Sequence, residues 1–218
     1  MRPAHLSSLD ARPRCTARYD RDVTVRAAHE HRLIDLIRSD DWLMRVLATV
    51  RLTGLPDAWV GAGVIRDLVW GRLYGTGFDH RLVRDVDVVY FDRGDLSRDR
   101  DEQATQALCA AWPDVPWEAR NQAAVHTWYA RKFGGAPVAP LTSIADAVGT
   151  WPETATAVAV HLDPHGAVQV CAPLGLADLL AGVWRLNPRR ISLSRSLERL
   201  ARHDPARRWP AVRVIPPA

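Results

Sequence analysis

The segment Arg84-Asp85-Val86-Asp87-Val88-Val89-Tyr90-Phe91-Asp92 constrains the fold more than any other part of the 218-residue chain. It is β-prone, and successive strand side chains point to opposite faces. Asp85 and Asp87 therefore share one face, while Val86, Val88 and Tyr90 turn the other way, into a core. Asp92 has the parity of the apolar set and falls past the strand end. Two carboxylates side by side repel each other unless a cation lies between them. Hard oxygen ligands at this spacing suit Mg²⁺, which commonly also takes oxygens from a substrate phosphate. An edge strand with a solvated acidic face is the other reading of the same residues.

Upstream, a short strand at Ala58-Trp59-Val60 runs into Gly61-Ala62-Gly63, and a helix follows from Val64 to Tyr74. Glycines let a backbone come close to a phosphate, and a helix start offers free N–H groups. A glycine-rich turn alone is only a turn. Joined to a later Asp-x-Asp strand, Gly61 and Gly63 become a candidate phosphate cradle beside a metal clamp. Arg66 and Arg84 are the cations nearest these two features in sequence, and either offers a bidentate grip on a triphosphate. Arg66 has an alternative role beside Asp67 on an exposed helix face.

The remaining pattern mixes helices and strands without the long alternation of a doubly wound sheet. Residues 1–26 are rich in Arg, Asp and Pro without periodicity and read as a loose arm, and residues 27–218 as a single domain. Helices are expected from Ala27, over Trp42 to Val50, Asp99 to Ala111, Gln122 to about Lys132, Leu176 to Trp184 and Ser192 to Arg202. Further strands are expected over Val115 to Ala119, Thr156 to Leu162 and Ala167 to Cys171, the last two joined as a hairpin at Pro164-His165-Gly166. The fold class is α+β: a mixed β-sheet flanked by helices, with a short helical C-terminal tail.

Composition narrows the function classes modestly. Hydrophobic residues make up 47% and charged residues 25%, an ordinary globular balance. No apolar run approaches the roughly 20 residues that span a bilayer, and the arginine-rich N-terminus lacks the apolar stretch of a secretory signal, so a cytoplasmic location is expected. The net charge of +4 suits an anionic partner such as a nucleoside triphosphate or RNA. Lys132 is the only lysine, so the basic residues reflect an arginine bias more than a binding block. Cys15, Cys109 and Cys171 form neither a CxxC pair nor a disulfide framework, and Cys109 and Cys171 read as small core residues.

The run Gly61-Ala62-Gly63-Val64-Ile65-Arg66-Asp67-Leu68-Val69-Trp70-Gly71, followed by Asp85-Val86-Asp87, is similar to the signature of the DNA polymerase β-like nucleotidyltransferase superfamily. It looks most like the arrangement in tRNA CCA-adding enzymes. It departs from it in the Ala62 that splits the glycine pair and in a longer connection to Asp85. Further pieces resemble a smaller bacterial family of nucleotidyltransferase-like proteins: Tyr90-Phe91-Asp92, Trp117-Glu118, Asn121-Gln122, His126, Trp128, Trp151-Pro152-Glu153-Thr154-Ala155, Ala172-Pro173, Gly175-Leu176, Asp178 and Asn187-Pro188.

The resemblance implies a nucleotidyltransferase fold, two Mg²⁺ ions held by Asp85 and Asp87, and a third carboxylate from a neighbouring strand. Glu118 is the candidate, as metal ligand or as general base; a surface glutamate at a strand end is the alternative. Asn121 suits a helix N-cap. Gln122 and His126 lie four apart on one expected helical face, where they either touch the nucleotide or serve the structure. Glu153 and Thr154 are expected as polar contacts on the acceptor side. Most of the nine tryptophans are expected to fill the core, with one or two free to stack on a base. The implied reaction moves a nucleoside monophosphate from an NTP to an acceptor and releases pyrophosphate. CCA-adding enzymes carry large helical regions for tRNA, so a small molecule or a protein side chain is the expected acceptor here. An RNA-end nucleotidyltransferase of toxin type and a catalytically silent binding module on the same fold are the rivals.

Overall fold

The computed structural model describes residues 14–189 and 192–216, with side chains from Val23 onward. Two helices lead, α1 (Arg14–Arg38) and α2 (Asp41–Leu52). Strand β1 (Trp59–Gly61) feeds α3 (Gly63–Tyr74), and β2 (Val86–Tyr90) feeds α4 (Arg98–Ala111). Next come β3 (Trp117–Asn121), α5 (Val125–Phe133), α6 (Ile144–Val148) and the hairpin of β4 (Ala159–Leu162) and β5 (Val168–Cys171). The chain ends in α7 (Ala177–Leu180), β6 (Val183–Arg185), α8 (Leu193–His203), α9 (Pro205–Arg208) and β7 (Arg213–Ile215).

Five strands form one mixed sheet in the order β3-β2-β1-β4-β5. β1 runs antiparallel to both β2 and β4, and β3 runs parallel to β2. The alternation read from the sequence sorts the two faces. Val60, Val86, Val88, Tyr90, Ala119 and Val160 join one core with Leu33 and Ile37 of α1, Leu43 and Leu47 of α2, Ile65 and Leu68 of α3 and Leu108 of α4. On the opposite face Val89 and Ala159 pack with Ile144 and Val148 of α6, and the rest of that face opens into a cleft. This is the expected α+β architecture, a mixed sheet flanked by helices. No helix among the described residues is long and apolar enough to cross a membrane.

A buried polar cluster fixes the β2–β3 register. The Asp101 carboxylate accepts from the Tyr90 hydroxyl and from the Asn121 backbone N–H, both at 2.7 Å. The Asn121 side chain accepts from Asp92 N–H and Ala123 N–H at 3.0 Å and donates to the Asp92 and Asp95 carbonyls. Asn121 is thus the cap expected of it, and it also stitches the end of β2 to the end of β3. Buried groups this fully satisfied hold one arrangement.

Several boundaries differ from the sequence reading. α1 begins at Arg14 rather than Ala27, because residues 14–26 hold no Gly or Pro but also no apolar stripe for periodicity to detect; residues 1–13 of the expected arm lie outside the described residues. The helix expected over Leu176 to Trp184 stops at Leu180, where Gly182 at φ +63° lets the Tyr74 ring sit against it and turns the chain into β6. β6 then pairs in parallel with β7, a contact between distant segments that no local pattern announces. Thr156 belongs to a 3₁₀ turn over Thr154–Thr156 rather than to β4. Cys109 is exposed on α4, whose buried face is Asp101, Ala104 and Leu108, and Cys171 is only partly buried.

Candidate active site

A cleft of about 770 Å³ lies over the open part of the sheet. Its floor is β2 and β3. The β1–α3 turn forms one side, α5 the other, and α8 crosses above. Asp85, Asp87 and Glu118 all line it. Glu118 comes level with Asp87 because the two are Cα partners in the parallel β2–β3 pairing. Burial pushes the Asp87 carboxyl up to about 7, helped by the negative charges of Asp85 and Glu118. Asp85 is raised for the same reasons, with burial first and Glu118 and Asp67 after it. A cation placed between carboxylates that raise one another in this way would relieve their repulsion.

Glu118 also contacts Arg120, at 3.0 Å. Among the described residues no three Asp, Glu, His or Cys side chains converge closely enough to hold one ion by themselves. The Asp85–Asp87 pair still fits Mg²⁺, which keeps waters and binds through one or two carboxylates plus substrate phosphate.

The two glycines of the expected cradle separate. At Gly63 an added Cβ would lie 3.8 Å from Arg66 Nη2 and 3.9 Å from Asp85 Oδ1, so this glycine lines the cleft beside Asp85. Gly61 does not line the cleft. A Cβ there would meet the Trp151 ring and the Val158 carbonyl oxygen, each at 2.7 Å, so Gly61 serves strand and ring packing. Between them Ala62 holds φ +56° and ψ −120°, a conformation glycine takes at far lower cost. Ala62 N–H donates to Val158 O at 3.0 Å, which ties the strained turn to the strand beside it.

Arg66 is not on an exposed helix face. It is 4% exposed and donates through Nε and Nη2 to Asp67 Oδ1, while Arg208 takes Asp67 Oδ2 at 2.8 Å. Its guanidinium sits 5.4–6.0 Å from the rings of Trp70, Trp184 and Trp209. Arg66 therefore pins α3 to the C-terminal segment while still lining the cleft; Arg84 lines it too and is exposed.

Gln122 lines the cleft, whereas His126 does not. Residues 122–124 form a 3₁₀ turn before α5, and three residues per turn breaks the four-residue spacing that would align the two side chains. His126 Nδ1 is buried without a hydrogen-bond partner among the described residues. Glu153 and Thr154 are not cleft contacts either. Glu153 is 1% exposed and bound to Arg199, and Thr154 donates to Asp178 at 2.6 Å. Asp92 stays out of the cleft, as its parity predicts, and accepts from Gly94 N–H.

The helix expected over Ser192 to Arg202 is α8, but the sequence reading gives it no place at the cleft. Arg195, Arg199 and Arg202 all line the cleft, and their i, i+4, i+7 spacing was the available signal. Trp128, Tyr129 and Phe133 of α5 add an aromatic wall to the cleft, with Lys132 beside them.

A family model described as Nucleotidyltransferase matches residues 48–214. No curated protein sequence matches the chain. Among solved structures, one described as a CCA-adding enzyme head domain is similar over 85% of this chain and 95% of its own, with 26% identity and a TM-score of 0.71. A CCA-adding enzyme in complex with CTP is similar over 84% of this chain, with 15% identity and a TM-score of 0.50. The chain spans 42% of that enzyme's length, and this likeness shows the fold. The family match runs from α2 to β7 and contains the whole cleft, and the chain belongs to this nucleotidyltransferase family.

Proposed function

We propose that the protein moves a nucleoside monophosphate from an NTP to a small-molecule or protein acceptor, with Mg²⁺ and with release of pyrophosphate. The observation that carries this reading is Gly63 opening onto Asp85. A side-chain-free helix start stands beside Asp85 on the wall of the cleft, where a phosphate can approach backbone N–H groups and a carboxylate-held metal together.

In this reading the first N–H groups of α3 and the Arg84 guanidinium hold the phosphates, and Arg66 lends charge from its buried seat. Asp85 and Asp87 would hold the metal, which when bound supplies Lewis-acid polarisation of the phosphates. Glu118, level with Asp87 and half-exposed, takes the proton of the attacking hydroxyl or amine. Gln122 and the α5 aromatics border the space left for the base and the acceptor. A cleft of about 770 Å³ is of small-molecule size, which suits an NTP with a compact acceptor group beside it.

The test is incubation with Mg²⁺ and each α-labelled NTP, followed by mass spectrometry of cell extract treated with the preferred one. A labelled product of added NMP mass identifies the acceptor class. Absence of pyrophosphate release with every NTP and extract contradicts the reading and leaves a silent module.

A further inference from the structure

α8 reaches across the cleft from the aromatic wall to the phosphate side. Arg195 lies 4.7 Å from the Phe133 ring of α5, and His203 at the other end packs 5.5 Å from Trp184. Arg195, Arg199 and Arg202 lie along one face between these ends, with Glu198 the acidic side chain of α8 at the cleft.

The middle arginine is held in a fixed pose. Arg199 Nε donates to Glu153 Oε1 at 2.7 Å and Nη2 to Glu153 Oε2 at 2.9 Å. Glu153 also accepts from the Thr156 hydroxyl at 3.1 Å and is 1% exposed, so no substrate reaches it. A planar guanidinium clamped along its Nε–Nη2 edge turns the Nη1 edge away from the carboxylate. That free edge belongs to a side chain that lines the cleft, within electrostatic reach of Asp85 and Asp87. One turn on, His203 Nε2 is buried and without a hydrogen-bond partner among the described residues, and Arg66 and Arg84 lie within reach of it. A fixed cation within reach of the acidic pair, with Arg195 and Arg202 on the same helix face at the cleft, marks a line of anion sites along one helix.

We propose that α8 grips the polyphosphate of the NTP, with Arg199 on the departing pyrophosphate, Arg202 beyond it, and the buried Glu153 as the residue that positions Arg199. This rests on the nucleotidyltransferase reading. The acceptor oxygen or nitrogen bonds to the α-phosphorus as the bond from that phosphorus to the bridging oxygen breaks. The electron pair leaves with pyrophosphate, and the acceptor proton passes to Glu118. Arg199 exchanges no proton; it neutralises charge gathering on the leaving group.

The experiment is titration calorimetry in Mg²⁺ with the four NTPs, the matching NMP and inorganic tripolyphosphate. The variants are Arg202→Gln and the neutral pair Glu153→Gln/Arg199→Gln, which leaves no orphaned buried charge. Each is expected to weaken NTP and tripolyphosphate about tenfold or more, the scale of a lost charge-assisted hydrogen bond, and NMP less than about twofold. Arg199→Lys should recover part of the loss. A merely structural role would lower NTP and NMP affinity together, or neither, and either result overturns the proposal. Arg202 is exposed on α8, so its variant decides the matter if the double variant does not fold. If the wild type binds NTP and the variants bind it equally, the inference alone fails. If the wild type binds none of the four, the nucleotidyltransferase reading fails and takes the inference with it.

Discussion

Asp87 and Glu118 are Cα partners across the parallel strands β2 and β3, so two acidic side chains from different segments stand level on the cleft face. The Asn121–Asp101 cluster at the strand ends keeps them so. Glu118→Gln preserves the shape and removes the proton acceptor. Transfer under single-turnover conditions should slow by at least about a hundredfold while NTP affinity changes little. A Glu118 whose business is the Arg120 contact would give unchanged kinetics and a stability change within about 1 kcal/mol.

Strand parity gives the complementary control. Asp92 follows β2 and bonds Gly94 N–H outside the cleft. Asp92→Asn should keep most of the activity in the same assay. A loss as large as that at Asp87 would mean that Asp92 reaches the substrate.

Gly63 and Gly71 sit in one helix with different jobs. Gly63→Val fills the space beside Asp85 and should weaken NTP binding at least about tenfold, read by calorimetry. At Gly71 a Cβ would come within 2.5 Å of the Gly77 carbonyl oxygen. Gly71→Ala should cost about 1–3 kcal/mol in denaturant unfolding, the usual cost of overpacking, and leave NTP affinity near normal. Equal NTP affinity for Gly63→Val and wild type would remove the cradle.

The raised Asp87 carboxyl makes metal-free stability depend on pH. Its folded pKa of about 7 exceeds the ordinary 3.8, so between those values the folded state binds the extra proton and stability falls as pH rises. Above about 7 the loss is complete. In EDTA, the Tm of Asp87→Asn should exceed that of wild type by a margin that grows from pH 4 to 7 and then levels off. Mg²⁺ at pH 8 should close the gap. A margin independent of pH would place Asp87 in an environment where it ionises normally.

Much of this site was legible because it is local. Alternation alone put Asp85 and Asp87 on one face and Asp92 off it, and the glycine before a helix marked Gly63. Gly61 looked equivalent in sequence, yet its reason is the Trp151 ring, which arrives from far along the chain. Glu153 was read as a substrate contact for the same cause: only the folded chain reveals that Arg199 covers it. The alternative of an exposed helix face for Arg66 fails because its three tryptophans come from two distant segments and its own helix. Leu176 to Trp184 carried a helical pattern, but the β6–β7 pairing that ends it joins residues about thirty apart. Local periodicity reports which face a residue takes and not which partner meets it there.

The most direct test of the acidic pair at the centre of this account is pyrophosphate release by wild type and Asp87→Asn, with saturating Mg²⁺ and the preferred NTP. Release by the wild type and its loss by at least about a thousandfold in Asp87→Asn is the expected result, as for a lost group that neutralises transition-state charge. Calorimetric unfolding should show the variant folded throughout. Near-normal release by Asp87→Asn would contradict the assignment of the site.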